Sequence, residues 1–301
     1  MTGTIILQLI QLFLVIAIII ISAYVIYHIK SHHINPFKRF WTGFGIGLVT
    51  DLLDTLGIGS FATTTTLFKA TKMIDNDSQL PGTMNAVHVI PVLIQSLCFI
   101  LVVNVEPLTL VSMAGASFIG ALFGTRLTKN WHTPTVQRIL GTLLIIAAFI
   151  SIYRLWSNPG ADIVESAHGL SGIWLIIGIG FNFIIGVLMT MGLGNYAPEL
   201  IFFSLMGLSP AVAMPVMMLD AAMIMMASTT QFIKNDRISW NGYAGMVFGG
   251  IVGVLIAVAF LANLNLNNLK ILVIIIVLFT GLMLIRSSFK PQLSDKRLKK
   301  H

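Results

Sequence analysis

A short glycine-containing signature occurs twice in this chain, each time inside a long apolar segment. Residues Thr55–Ala62 read TLGIGSFA, and residues Thr190–Ala197, 135 positions later, read TMGLGNYA. The same offset pairs further residues: Gly43 with Gly178, Gly45 with Gly180, Asn85 with Asp220, and Gly115 with Gly250. Duplicated units whose glycine-rich breaks lie at membrane depth are typical of secondary transporters. The chain is therefore predicted to contain two related halves, each with a helix that is interrupted inside the membrane.

The composition of the chain indicates a membrane protein. Hydrophobic residues make up 56% and charged residues 10%, against roughly 25% charged residues in ordinary soluble domains. Several uncharged runs reach the ~20 residues that a bilayer-spanning helix needs. The net charge of +7 does not indicate nucleic-acid binding, because the basic residues lie in loops between the apolar runs, where they report orientation. The single cysteine, Cys98, excludes an internal disulfide.

The apolar runs predict the membrane segments. The N-terminal run Thr4–Ile29 is longer than the core of a signal peptide and has no basic residue before it, so we interpret it as a retained anchor outside the duplication. Two segments, Trp41–Phe68 and Ile173–Leu205, contain the glycine-rich breaks. Six other segments are predicted to cross the membrane fully: Gly82–Val103, Leu108–Thr125, Ile139–Tyr153, Ala211–Phe232, Trp240–Ala262 and Ile271–Ile285.

The positions of the lysines and arginines favour a hairpin for each broken segment, which enters and leaves the membrane on the same side. The sequence leaves open whether each hairpin is re-entrant or crosses the membrane fully. With two hairpins, 16 of the 18 basic residues fall inside, and only Arg154 and Lys270 fall outside. Each half then has three full crossings, an odd number, so the second half is inverted relative to the first. The predicted fold is an all-α polytopic membrane protein, with an N-terminal anchor helix plus two inverted repeats, each a Gly-broken helical hairpin followed by three transmembrane helices. The predicted parts are the anchor and basic loop (1–39), repeat 1 (40–156), an external linker (157–170), repeat 2 (171–286) and a basic cytoplasmic tail (287–301).

The two breaks are predicted to form an anion-binding site. Ser60 and Asn195 follow the glycines and are both preferred N-cap residues, so a new half-helix is expected to begin at each. The free N–H groups and the dipole at such a helix end bind anions without an arginine. The alternative is that glycines only permit close helix packing, which is the preferred interpretation for Gly120-x-x-x-Gly124, Gly245-x-x-x-Gly249 and Gly249-x-x-x-Gly253. The predicted substrate-binding residues are Gly57, Gly59, Ser60, Thr63, Thr64, Asn85, Gly192, Gly194, Asn195 and Tyr196.

Five ionisable residues within predicted membrane segments are candidates for ion coupling: Asp51, Asp54, His88, Glu199 and Asp220. A carboxylate at the bilayer centre costs at least about 2.5–3.5 kcal/mol, so such residues are usually functional. Glu199 also has a structural interpretation, because an acidic side chain in the first turn of a half-helix is stabilised by the helix dipole. His88 lies one turn beyond Asn85, where it is either a hydrogen-bonded structural residue or part of a proton relay.

Several short motifs follow the breaks in a fixed order. They are Pro81-Gly82-Thr83-Met84-Asn85-Ala86 and Gly115–Leu127 in the first half, then Gly192-Leu193-Gly194-Asn195, Pro198 and Met206–Ala213 in the second. This order resembles the TauE/SafE sulfite-exporter family of permeases over roughly residues 40–286. The resemblance implies a polytopic plasma-membrane carrier for sulfite, sulfonates or related small anions. Phe61 and Tyr196 stand where the family has further glycines, and their rings are suited to narrowing the site or stacking on an organic substrate.

The leading hypothesis is a secondary transporter, not an enzyme. It would move a small anion, a sulfur oxyanion or organosulfonate, by alternating access at a midplane site, with H⁺ or Na⁺ as the coupling ion. The alternative is a cation or metal-ion carrier that uses the intramembrane acidic residues. An intramembrane hydrolase based on Ser117 is disfavoured, because the duplication places Val252 opposite that serine. We expect no cofactor and no nucleic-acid partner; the partners are the anionic substrate and the lipid bilayer, and the oligomeric state stays open, a homodimer included.

Overall fold

The computed structural model describes residues 2–57, 59–74, 79–102, 105–127, 133–157, 168–191, 193–261 and 266–289. Within these residues the chain is helical and contains no strand, which confirms the predicted all-α class for this part of the protein. The helices of the described part are α1 (Thr2–Ser31), α2 (Phe40–Thr55), α3 (Ser60–Thr71), α4 (Leu80–Val102), α5 (Pro107–Leu127), α6 (Thr133–Ser157), α7 (Gly172–Met189), α8 (Tyr196–Leu205), α9 (Pro210–Lys234), α10 (Tyr243–Leu261) and α11 (Leu266–Ser288).

Six helices of the described part are long and apolar enough to cross a membrane, namely α1, α4, α5, α7, α9 and α10. Helices α6 and α11 contain shorter apolar stretches, Pro134–Ile150 and Ile274–Ser288. Each segment predicted to be a full crossing coincides with one helix, as expected for a polytopic helical membrane protein. Several helices extend beyond the predicted segments, whereas Trp240, the first residue of one predicted segment, lies before α10, which begins at Tyr243 after a turn at residues 241 and 242.

Both broken segments contain the predicted interruption. Residues 56–59 separate α2 from α3, and residues 190–195 separate α7 from α8. In the first break Gly57 and Gly59 have φ angles of 97° and 81°, in the left-handed region that residues with a Cβ rarely adopt. The first helix therefore stops where the sequence provides two residues able to take up this backbone conformation.

Helices α2 and α10 pack closely along their lengths, and so do α5 and α7. Glycine makes both contacts close: a Cβ on Gly249 of α10 would collide with the carbonyl oxygen of Phe44 on α2. In the same way, a Cβ on Gly120 of α5 would collide with the carbonyl oxygen of Phe183 on α7. The packing interpretation of the Gly-x-x-x-Gly motifs in α5 and α10 is therefore confirmed for these glycines.

Helices α4 and α9 pack against each other, with α10 also against α4 and α5 also against α9. The two short helices lie on this central pair, α3 against α4 and α8 against α9. Since each short helix begins immediately after a break, this arrangement brings both breaks next to the two helices that carry many of the buried polar residues.

Candidate functional site

Ten polar side chains near the two helix breaks form what we name the central polar cluster. Each member is at most 2% exposed, although polar groups at membrane depth are costly and are generally retained for function. The cluster contains four carboxyl groups and a single imidazole group. No lysine or arginine is buried among the residues whose exposure the structure describes. Its members are Asp51, Asp54, Ser60, Thr64, His88, Gln95, Asn195, Tyr196, Glu199 and Asp220.

A buried pair of Asp51 and His88 joins α2 to α4. His88 Nδ1 lies 2.9 Å from Oδ1 and 3.0 Å from Oδ2 of Asp51, and His88 Nε2 lies 2.9 Å from Thr64 Oγ1 on α3. Helix α10 makes room for this carboxylate through Gly250, where a Cβ would collide with Asp51 Oδ2. The imidazole ring therefore connects three helices and is placed to exchange a proton with Asp51.

The Asp54 carboxylate lies at the N-terminal end of the half-helix α3. The backbone N–H of Ser60, the first residue of α3, donates a hydrogen bond to Asp54 Oδ1, so a negative charge faces the positive helix end. This corrects the predicted role of Ser60: Gly59 is the N-cap residue, and the Ser60 hydroxyl group is buried and has no hydrogen-bond partner among the described residues.

Asn195 is the N-cap residue of α8, as predicted, but its side chain does not cap the helix. Its Nδ2 donates to Glu199 Oε2 at 3.1 Å and to the carbonyl oxygen of Met217 at 2.9 Å. Because Met217 belongs to α9, the Asn195 side chain ties the beginning of α8 to α9. Glu199 lies in the first turn of α8, as expected if its acidic side chain interacts favourably with the helix dipole.

Glu199 and Asp220 place two carboxyl groups near each other, one on α8 and one on α9. Both side chains are completely buried, and their charges interact. Glu199 Oε1 lacks a hydrogen-bond partner among the described residues, and the described side chain that acts on Asp220 by hydrogen bonding is that of Ser117. Since the described groups that act on them include no basic side chain, a proton or another cation is needed to offset the repulsion between two ionised carboxylates.

Tyr196 connects the two halves of the cluster. Its hydroxyl oxygen accepts a hydrogen bond from Gln95 Nε2 of α4 at 3.2 Å, and the hydroxyl group also faces the Asp54 carboxylate. The first turn of α8 therefore meets side chains from α2 and α4. Sequence reasoning missed Gln95, although its position carried a signal: it lies seven residues after His88, two turns away on the same helix face.

Some predicted site residues bond within their own helices. Thr63 Oγ1 donates to backbone carbonyl oxygens one turn earlier, at 2.9 and 3.3 Å, so its hydrogen is used inside α3. Asn85 Nδ2 donates to the carbonyl oxygen of Pro81 at 2.8 Å, within its own helix rather than toward His88. Asn85 Oδ1 is buried and has no partner among the described residues. Gly192 lies outside the described residues.

Open space adjoins both breaks. Apart from immediate chain neighbours, no described atom lies within 4 Å of the position that a Cβ would take on Gly59 or on Gly194. Gly57 differs, since a Cβ there would lie 3.3 Å from Leu200 Cδ1 and 3.2 Å from Ile276 Cδ1. The positions at Gly59 and Gly194 therefore each have at least the space of a methyl group next to the beginning of a half-helix.

The acidic side chains do not converge on one point. Within the part of the chain that the structure describes, no group of three or more His, Cys, Asp and Glu side chains is placed to hold a metal ion. Asp51 instead pairs with His88, Asp54 lies at the N-terminal end of α3, and Glu199 and Asp220 lie near each other. Each of these groups is able to bind and release a proton.

Comparison with known proteins supplies no assignment. No family model matches the chain, and no curated protein or solved structure matches it. The TauE/SafE resemblance therefore rests on the short motifs alone, and function has to be argued from the geometry of the central polar cluster.

Proposed function

We propose that the protein is a secondary transporter of the plasma membrane, a permease that moves a small anion past the central polar cluster by alternating access. The observation that carries this proposal is that two helix breaks, each with open space beside it, lie against one buried polar cluster. Irregular backbone at membrane depth persists only where protein, water or a solute satisfies its polar groups. Carriers use broken helices of this kind to hold substrate near the bilayer midplane.

The packing of the helices supports an arrangement of two inverted repeats. Under the offset of 135 residues, α2 corresponds to α7, α4 to α9, α5 to α10 and α6 to α11. The contact of α2 with α10 then has its counterpart in the contact of α7 with α5, and the contact of α4 with α10 in that of α9 with α5. Helices α4 and α9, and helices α6 and α11, pack against their own counterparts. Such repetition of contacts is expected for two halves that rock about a shared axis.

An anion is the substrate class that suits the two half-helix ends. The backbone N–H groups and the dipoles of α3 and α8 attract negative charge, and α3 already holds a carboxylate oxygen of Asp54. The motifs that resemble the TauE/SafE family narrow the class to a sulfur oxyanion or an organosulfonate. We take H⁺ as the coupling ion, because the cluster consists of buried groups that bind and release protons, among them the pair of Asp51 and His88.

The proposed orientation places the N-terminus outside and the C-terminal tail in the cytoplasm. This orientation follows from the distribution of lysine and arginine, which falls mostly on the inner side when both broken segments are hairpins. It is tested by the accessibility of cysteines introduced at the two ends of the chain in intact cells.

The second candidate is a carrier of a small cation. Its support is the charge of the cluster, which has four carboxyl groups and no buried lysine or arginine among the residues whose exposure is described. In that case the Glu199–Asp220 pair would take the cation, and the Asp54 carboxylate would serve only to cap α3. The two candidates differ in the charge of the solute and are separated by one transport experiment.

That experiment measures uptake by the purified protein in proteoliposomes at two pH values. Sulfite, sulfate, thiosulfate, sulfoacetate and taurine are compared with Na⁺ and divalent cations. Uptake of at least one anion, stimulated by an inward proton gradient, is the expected result. Uptake of cations alone would support the second candidate, a cation carrier. Uptake of neither anions nor cations would refute both proposed functions.

A matched pair of variants then tests whether the site lies at the second break. Asn195→Ala removes the side chain that links α8 to α9, and it is expected to lower anion uptake about tenfold or more, since a hydrogen bond to a charged group contributes about 1.5–3 kcal/mol. Asn235→Ala makes the same change at an exposed position at the end of α9 and should leave uptake near the wild-type value. If Asn195→Ala does not fold, Tyr196→Phe removes only a hydroxyl group from the same break. Wild-type uptake in a folded variant at Asn195 would refute this location.

A further inference from the structure

The N-terminal end of α3 already holds an anion that belongs to the chain. Asp54 Oδ1 accepts the hydrogen bond of the Ser60 N–H, which is the backbone donor that a transported anion would use at this break. An N–H group directs its hydrogen toward one strong acceptor at a time. The Asp54 carboxylate and a substrate oxygen therefore compete for the same donor.

A second feature shows that this helix end has capacity beyond the Asp54 contact. The Ser60 hydroxyl group is completely buried and has no hydrogen-bond partner among the described residues, whereas the Asp54 carboxylate also interacts with the Tyr196 hydroxyl group. Beside them, no described atom outside the adjoining chain lies within 4 Å of a Cβ built on Gly59. A buried hydroxyl group without a partner is able to donate a hydrogen bond to an incoming oxyanion.

We propose that Asp54 is an internal competitor of the transported anion, and that protonation of Asp54 releases the Ser60 N–H so that the anion enters together with one proton. This inference rests on the proposed function and names the coupling step of that site. In the step, a proton adds to the Asp54 carboxylate and the neutral carboxylic acid leaves the helix end. An oxyanion then takes its place, so a negatively charged group again faces the helix dipole. The protonated carboxyl group also becomes a donor that can bond to the anion.

The surroundings of Asp54 make it the acid suited to this role. The titratable groups that act on it are Asp51 on its own helix, His88 on α4 and Tyr196 on α8. The other helices packed against α2 contribute little: α3 has only Lys69, in its exposed last turn, and α10 has only Tyr243, at its first residue. His88 forms its ion pair with Asp51, so Asp54 is left without a cationic hydrogen-bond partner among the described residues.

The test is the pH dependence of anion affinity, measured by thermal stabilisation or isothermal calorimetry of the full chain in nanodiscs. Thiosulfate and sulfoacetate are the probes, because both stay fully ionised near neutral pH. If one proton binds with each anion, the apparent affinity of the wild type falls about tenfold per pH unit above the pH at which Asp54 titrates. Asp54→Asn cannot take up this proton and should flatten the slope. Asp236→Asn, the same change in an exposed turn after α9, should retain the full slope.

Transport in proteoliposomes loaded with a pH-sensitive dye separates failure of this inference from failure of the proposed function. Anion uptake with internal acidification in the wild type, and uptake or exchange without acidification in Asp54→Asn, is the expected result. Anion uptake without acidification in the wild type, or full acidification in Asp54→Asn, would overturn the coupling step and leave the transporter intact. If no anion is bound or transported by the wild type, the proposed function fails and this inference with it. Should Asp54→Asn not fold, Asp54→Glu keeps a titratable group and must keep the slope; a flat slope in that folded variant would overturn the proposal.

Discussion

The buried pair of Asp51 and His88 is expected to contribute a large interaction free energy, which a double-mutant cycle can measure. The two side chains make contacts of 2.9 and 3.0 Å, and both are completely buried. Removing one partner from such a pair leaves the other without compensation and costs about 3–5 kcal/mol. We therefore expect Asp51→Ala and His88→Ala each to lower the free energy of unfolding by about 3–5 kcal/mol.

The double variant should be destabilised by less than the sum of the single variants. Once either partner has been removed, the second change no longer breaks the pair, so an interaction energy of about 2–3 kcal/mol is expected from residues in direct contact. Thr64 adds a smaller effect: its hydroxyl group lies 2.9 Å from His88 Nε2, and Thr64→Val should cost about 1 kcal/mol through this lost hydrogen bond.

Reversible unfolding in mixed detergent micelles, followed by tryptophan fluorescence, supplies the four free energies of the cycle. Each variant is first checked by size-exclusion chromatography in the same detergent. Single-variant costs that simply add to within about 0.5 kcal/mol would refute the reasoning, because they would mean that the two side chains stabilise the protein independently. An interaction energy in the expected range would show that the contact between α2 and α4 is held by this pair.

Two further predictions concern helix packing and transport. A Cβ on Gly47 would lie 2.8 Å from Met246 Cα, about 1 Å inside normal carbon–carbon contact, whereas a Cβ on Gly45 meets no described atom within 4 Å. Gly47→Ala should therefore be less stable than Gly45→Ala by about 1–3 kcal/mol. The gain in helix propensity is the same for both variants, because both positions lie within α2. Equal Tm values for the two variants in detergent would contradict this prediction. Asp220→Asn should abolish proton-driven anion accumulation while leaving the amount of protein inserted in the membrane unchanged, with Asp236→Asn as the exposed control. Accumulation at the wild-type level in Asp220→Asn would remove Asp220 from the set of coupling residues.

The helix breaks could be predicted from sequence because their cause is local. Gly57 and Gly59 permit backbone angles that end α2 whatever surrounds them, and the apolar runs fix the number of long helices in the same local way. The presence of Asp51, Asp54 and His88 in membrane segments could also be read directly, since charged residues inside apolar runs are rare.

The partners of these side chains could not be read from the sequence. Asp54 and Ser60 are only six positions apart, yet their contact depends on the turn between α2 and α3, which places the carboxylate over the backbone N–H. The N-cap rule pointed to the Ser60 side chain and missed this contact, because it considers only the residue that begins the helix. The contact between Gln95 and Tyr196 spans 101 positions and arises only when α4 meets α8.

Under the proposed duplication, the acidic residues of the two halves occupy non-equivalent positions. The first half has its acids before the break, on α2, whereas the second half has one just after its break and one on α9. The offset places Asp51 opposite Gly186, Asp54 opposite Met189, Thr64 opposite Glu199, and Asn85 opposite Asp220.

The glycines that face these positions differ accordingly. Gly250 on α10 leaves room for the Asp51 carboxylate, whereas its counterpart Gly115 on α5 has no described atom within 4 Å of a Cβ position. This is expected if the residue corresponding to Asp51 is Gly186, which has no side chain. Two halves that rock symmetrically would therefore expose chemically different proton sites in the two states. The first half has an imidazole–carboxylate pair and a capped helix end, and the second half has a carboxyl pair without a basic partner among the described residues. Under the proposed function, proton binding and release then need not occur at equivalent residues of the two halves.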